Sequence, residues 1–166
     1  MFQLKITVRH IAKWALPKAA VGAGLSREYI AEFKELCARL ARQLIHRGTH
    51  PENILWHGGE ISGFIDFDIA QRNVRLWAVC YCSTALLADC PINERGKWFD
   101  VLQGPLRGYG SVLPLTDDEK RAVYCVVCSV QIVFIARGEP ESEMTRMNRE
   151  MLELVAENKE RIRSVV

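Results

Sequence analysis

The sequence predicts a mostly helical α+β domain with one small β-hairpin near its centre, and three observations carry that expectation. Apolar residues recur at helical spacing over residues 76–88 and again from Thr116 onward. Between the helical stretches, residues 54–56 and 61–67 are short β-type runs separated by "HGGE", a turn signal with two glycines. The chain has 166 residues, of which 49% are apolar and 25% charged, the composition of one ordinary globular domain.

The elements follow in order. Over residues 2–16 two spacings compete: Phe2, Leu4, Ile6 and Val8 alternate as in a strand, whereas Leu4, Val8, Ile11 and Ala15 keep helical spacing. Residues 17–24 read as a connection, so residues 1–24 form an N-terminal segment of open structure and residues 25–166 the main body. Ser26 suits the cap of a helix with Ile30, Phe33, Cys37, Leu40 and Leu44 on its apolar face. After the hairpin and the helix over residues 76–88, Pro91 forces a stop. A further helix is expected over residues 94–102, ending at "QGPLRGYG". "TDDE" from Thr116 is a capping box with acidic residues in the first turn of a long helix. "RGEPE" breaks that helix, and residues 141–163 close the chain with Met144, Met147, Met151 and Leu154 on one face.

Composition excludes some functions. A formal charge of +2 without a dense Lys/Arg run argues against a nucleic-acid footprint. No apolar run reaches the roughly 18 residues of a membrane span. The longest, over residues 125–136, is interrupted by Ser129 and Gln131. The N-terminus shows no small-residue cleavage site after an apolar core, which predicts a cytoplasmic protein with reduced thiols. Cys80 and Cys82 form a C-x-C and Cys125 and Cys128 a C-x-x-C, which a four-thiolate zinc site would need. Both pairs sit in apolar helical stretches without the glycines and polar residues of a zinc knuckle, so core packing is the expectation for all six cysteines.

The chemistry concentrates at the hairpin. The loop before its first strand ends at Asn53, and its second strand ends "GFIDFD", with Asp66 and Asp68 at a loop. A hairpin pairs its two ends, so Asn53 and Asp66 should be neighbours. An amide oxygen beside a carboxylate suits Mg²⁺, a hard cation that shares its coordination with substrate phosphates. On spacing alone, a turn-capping Asn53 and a solvated Asp66 explain the pattern equally well.

The stretch "LIHRGTHPENILWHGGEISGFIDFDIA" resembles the catalytic core of the aminoglycoside phosphotransferase and choline kinase-like family, small-molecule relatives of protein kinases. That family carries H-x-D-x-x-x-x-N and then I-D-[FW]-[DEG]; His46, Asn53, Ile65, Asp66 and Phe67 match in type and spacing. The resemblance implies a protein-kinase-like C-lobe, with Asn53 and Asp66 as ligands to Mg²⁺ holding the phosphates of ATP. It implies phosphoryl transfer to a small hydroxylated or aminated substrate, with His46 bracing the loop.

Three departures bear on activity. The family's base Asp falls on Gly48, which has no acceptor for the substrate hydroxyl proton. The family's loop-bracing Asp falls on Ala78 in "RLWAVCY". Only 45 residues precede His46, without a glycine-rich cover or a phosphate-binding Lys strand; Lys5 in "LKITV" has nothing before it to form that cover. The reading is a helical C-lobe with the N-lobe absent. The surface toward that lobe should be apolar and exposed, which predicts a homodimer or an N-lobe partner. Three readings stand: a C-lobe without useful catalysis, an active kinase whose N-lobe comes from another chain, or a binding or regulatory module using the old substrate groove. The sequence is silent on the substrate.

Overall fold

The computed structural model describes residues 8–166. The alternating pattern that begins at Phe2, and Lys5 with it, therefore lies outside the described residues. From Val8 the helical spacing prevails. Val8–His10 (α1), a π-helical turn Ile11–Ala15 and Leu16–Ala19 (α2) run on, and Ala20 ends them at φ 50°. Ile11, Ala15, Leu16 and Ala19 are buried against the long helix α6 (Asp117–Arg137), so this segment is part of the core.

Ala23–Cys37 forms α3, starting three residues before the expected cap. Gly22 is the N-cap, while Ser26 sits inside the helix with its hydroxyl on the Val21 carbonyl at 3.2 Å. The expected apolar face holds through Phe33 and Cys37, and Leu40 is buried beyond the helix end, but Leu44 is 73% exposed. Leu44 belongs to β1 (Arg42–Ile45), which pairs antiparallel with β4 (Gln71–Val74). That ladder is a correction to the sequence reading. Two four-residue strands with mixed polar composition carry too little period-two signal to be seen without their partner.

The hairpin forms as expected. Ile54–His57 (β2) pairs with Glu60–Phe64 (β3), with a bulge between Leu55 and Trp56. Gly58 and Gly59 take φ 59° and 86°, the left-handed pair that a two-residue type I′ turn demands. Both two-stranded ladders flank one loop, which is how the site is held.

The helical half packs around α6, whose residues from Ala122 to Val133 are buried on every side. Leu76–Ala88 (α4), Glu143–Glu157 (α7) and Lys159–Arg163 (α8) surround it with α2 and α3. The capping box at the head of α6 is complete: Thr116 Oγ1 accepts from the Glu119 N–H at 3.2 Å, and Glu119 Oε2 accepts from the Thr116 N–H at 2.9 Å. Glu119 also accepts two 2.6 Å bonds from Arg75, in a fully buried bidentate pair.

Helix α5 (Trp98–Val112) departs from expectation, since it runs through Pro105 and three glycines instead of stopping at "QGPLRGYG". Its own face explains this. Trp98, Phe99, Leu102 and Leu106 are buried at helical spacing, and each fully buried side chain of this size contributes about 1.5–3 kcal/mol. That outweighs the propensity penalties. Four of the six cysteines behave as core residues: Cys37, Cys80, Cys125 and Cys128 are buried, whereas Cys82 and Cys90 are only half-buried, and all six are free thiols. Burial pushes the Cys128 thiol up to about 12 and Cys80 and Cys125 higher still, so all three stay neutral. Among the described residues no group of three or more His, Cys, Asp or Glu could hold a metal.

Candidate active site

The loop over residues 46–53 leaves β1 and enters β2 through the 3-10 turn Pro51–Asn53, so both of its ends are anchored in strands. His46 spends both ring nitrogens on the backbone. Nε2 donates to the Ile65 carbonyl at 2.6 Å, and Nδ1 accepts from the Gly48 N–H at 3.2 Å. A carbonyl only accepts and an N–H only donates, so these partners assign the neutral Nε2–H tautomer. The ring also lies against Phe67, centroids 4.4 Å apart. His46 thus ties the loop to the strand that carries Asp66, and neither nitrogen is left for proton transfer.

Asn53 is buried at the centre of the loop's hydrogen bonds. Its Nδ2 donates to the Gly48 carbonyl at 2.9 Å and faces His50 Nε2 at 3.0 Å. The Asn53 carbonyl accepts from the Ile65 N–H at 3.1 Å, closing the hairpin mouth. Across that mouth, Asp66 Oδ2 lies 3.5 Å from Asn53 Nδ2, so the two sequence-selected residues are neighbours. The Gly48 carbonyl orients the Asn53 amide with nitrogen inward, and Asn53 Oδ1 accepts no hydrogen bond among the described residues. Asp66 is exposed and holds φ 61°, in the left-handed region. Non-glycine residues there store strain that tends to collect at functional sites.

Gly48 is the position at which the sequence reading expects the family's base Asp. It is buried, and a Cβ added to it would meet Asn53 Nδ2 at 3.4 Å and His46 Nδ1 at 3.5 Å. Those are ordinary contacts, so the backbone accommodates a side chain that the sequence lacks.

Two further residues hold the loop, and the sequence reading missed both. Thr49 Oγ1 donates to the Ala78 carbonyl at 2.8 Å. The expectation that Ala78 leaves the loop without a brace on α4 is thereby corrected: the backbone of residue 78 accepts the bond that its side chain cannot. Arg47, at φ 70° and nine-tenths buried, donates from Nη1 to the Ile69 carbonyl at 3.2 Å. It joins the loop to the segment following Asp66. Burial and the neighbouring Arg137 both push its pKa down. A polar residue next to a motif position was the only sequence signal for either.

The loop thus closes over Gly48, and an amide and a carboxylate meet at the hairpin mouth. Residues 7–88 match the profile of the phosphotransferase enzyme family. Over that segment the chain is similar to members of this family. The phosphotransferase match starts well before residue 25, in keeping with the burial of Ile11, Ala15, Leu16 and Ala19 in the core. Similar curated proteins are homoserine kinases. That of Gluconacetobacter diazotrophicus is 35% identical over 86 residues, covering 51% of this chain and 25% of the relative. That of Chelativorans sp. is 32% identical over 105 residues, covering 60% of this chain and 31% of the relative. That of Methylocella silvestris is 36% identical over 109 residues, covering 62% and 32%. The chain thus spans a quarter to a third of the length of these phosphotransferase relatives.

Proposed function

We propose that this chain forms the cation-holding and phosphate-holding part of a small-molecule kinase, and that by itself it transfers phosphate negligibly. The observation that supports this reading is the 3.5 Å approach of Asn53 and Asp66 opposite a residue, Gly48, with no proton acceptor. The donor set fits Mg²⁺: one amide oxygen that accepts no hydrogen bond among the described residues and one exposed carboxylate, leaving the remaining coordination to water and phosphate oxygens. Asn53 Oδ1 and the Asp66 carboxylate would hold Mg²⁺, whose charge neutralises the phosphates of ATP in this chemistry. His46 and Thr49 keep the loop in place, and Gly48 offers nothing to orient or deprotonate an acceptor hydroxyl. The homoserine kinases it resembles are named for a small hydroxylated substrate, which favours an acceptor of that size.

Calorimetry with Mg²⁺-ATP, followed by a phosphate-transfer assay, tests the reading. The expected result is weak binding and no turnover by the chain alone. Micromolar binding with turnover would overturn it. If Gly48→Asp with Ala78→Asp, fused to a related N-lobe, stays inert, the assignment of those two positions fails.

A second reading, a binding or regulatory module, is favoured by the surface around the hairpin. Trp56 is 61% exposed and Phe67 58%, with Leu55, Ile61, Phe64 and Ile65 exposed beside them. An apolar patch of this extent suits a protein partner, either a second copy or an N-lobe. Sedimentation velocity that shows only monomer over a wide concentration range would count against self-association. No helix among the described residues is long and apolar enough to cross a membrane.

A further inference from the structure

The side-chain amide nitrogen of Asn53 carries two hydrogens. Three acceptors surround it: the Gly48 carbonyl at 2.9 Å, His50 Nε2 at 3.0 Å and Asp66 Oδ2 at 3.5 Å. Hydrogen bonds from N–H groups fall at about 2.7–3.2 Å, so the two nearer acceptors take the hydrogens and the carboxylate goes without. An amide nitrogen only donates, so His50 Nε2 accepts and the ring proton sits on Nδ1. Nδ1 faces the Glu52 carboxylate at 3.7 Å, which suits that tautomer.

The chain places His50 for this task locally. His50 precedes Asn53 by three residues, and the 3-10 turn Pro51–Asn53 folds that spacing onto itself. The His50 N–H donates to the Gly48 carbonyl at 2.9 Å, and the His50 carbonyl accepts from the Asn53 N–H at 3.0 Å. The ring meets Tyr81 of α4 edge-on, with centroids 6.5 Å apart. His46 spends both ring nitrogens on backbone, whereas His50 turns one toward a side chain at the hairpin mouth.

We infer that His50 is a positioning residue for the cation pair: by holding one amide hydrogen of Asn53, it keeps the Asp66 carboxylate unbonded and available to Mg²⁺. This rests on the cation-holding reading proposed above. Without the ring acceptor, the freed hydrogen has Asp66 Oδ2 as its remaining near acceptor among the described residues. A bond to an ionised oxygen is shorter and stronger than one to a neutral acceptor, so Asn53 and Asp66 close on each other. The carboxylate must then give up that bond to meet a cation. Residues that orient ligands in this way change metal affinity by about 10–100-fold.

Mg²⁺ alone, without nucleotide, is titrated into the full chain and two variants, with binding followed by amide NMR shifts. His50→Leu removes the acceptor and should weaken Mg²⁺ at least about tenfold. His50→Gln supplies an amide oxygen in place of Nε2 and should stay within about threefold of the unmodified chain. In the unmodified chain at neutral pH, a long-range nitrogen spectrum of the His50 ring should show the proton on Nδ1 and a bare Nε2. A proton on Nε2 overturns the inference, and this spectrum needs no variant, so it decides even if His50→Leu unfolds. Equal Mg²⁺ affinity in His50→Leu, or equal losses in both variants, overturns it too and leaves the cation-holding reading intact. Failure of the unmodified chain to take up Mg²⁺ overturns both.

Discussion

The hydroxyl of Thr49 donates to the main-chain carbonyl of Ala78 at 2.8 Å, fastening the loop over residues 46–53 to the first turn of α4. A carbonyl in the first turn of a helix normally accepts from the N–H four residues on, so the threonine adds a second bond to the same oxygen. Thr49→Val keeps the shape and removes the donor. It should cost about 1 kcal/mol of stability and speed amide exchange over residues 47–53. Urea unfolding and hydrogen-exchange mass spectrometry measure the two effects. Unchanged exchange in the loop would show that His46 and Asn53 hold it unaided.

Gly48 tolerates a side chain. With its nearest neighbours at 3.4–3.6 Å from an added Cβ and no left-handed backbone, Gly48→Asp should fold and shift stability by no more than about 1 kcal/mol. Thermal unfolding of the variant decides this. A collapse of the transition would show that the loop has closed over the glycine and does not accept a carboxylate at residue 48.

Asp66 at φ 61° separates the backbone from the carboxylate in a single comparison. Glycine occupies the left-handed region freely, whereas alanine pays for its Cβ there and lacks the local hydrogen bonds available to Asp. Asp66→Gly should exceed Asp66→Ala in stability by about 1 kcal/mol, read from urea midpoints. Both variants should lose any Mg²⁺-induced rise in thermal midpoint. Equal stability of the two would remove the case for strain at this position.

Acid should unfold the protein partly through Glu119. Burial by itself raises the pKa of this carboxyl, but the bonds from Arg75 and Thr116 outweigh burial and hold it below the ordinary value. A depressed folded pKa means stability that is present above the unfolded value, about 4.3, and lost as pH falls through the folded one. Glu119→Gln should therefore flatten the decline in stability below about pH 4.3. At neutral pH it should cost about 3–5 kcal/mol, because Arg75 is left buried opposite a neutral group. Chemical denaturation across pH 3–7 tests both halves, and an unflattened acid limb would show that another group carries it.

Much of this was legible without coordinates. "HGGE" demanded the left-handed pair at Gly58 and Gly59, and "TDDE" announced both bonds of the capping box. The spacing of Asn53 and Asp66 implied their meeting, because a hairpin brings its two ends together. Ser129 and Gln131 were visible as interruptions of an apolar run, with no meaning there beyond breaking it.

Other features waited for the fold. β1 and β4 are separated by 25 residues of chain, and neither has a pattern of its own strong enough to be seen without the other. Helix α5 survives Pro105 because its apolar face is buried, a fact about its neighbours and not about its residues.

The sequence by itself determined the helical and hairpin composition, the resemblance of the central loop to a phosphotransferase motif, and the glycine at residue 48. Those are properties of local periodicity and residue type. Only the tertiary structure decided that Thr49 braces the loop through a backbone carbonyl, that Arg47 reaches Ile69, and that Gln131 is buried without a hydrogen-bond partner among the described residues. Each depends on atoms far apart in the chain, and a hydrogen bond requires its partners within about 3 Å in space, a condition that residue order does not encode.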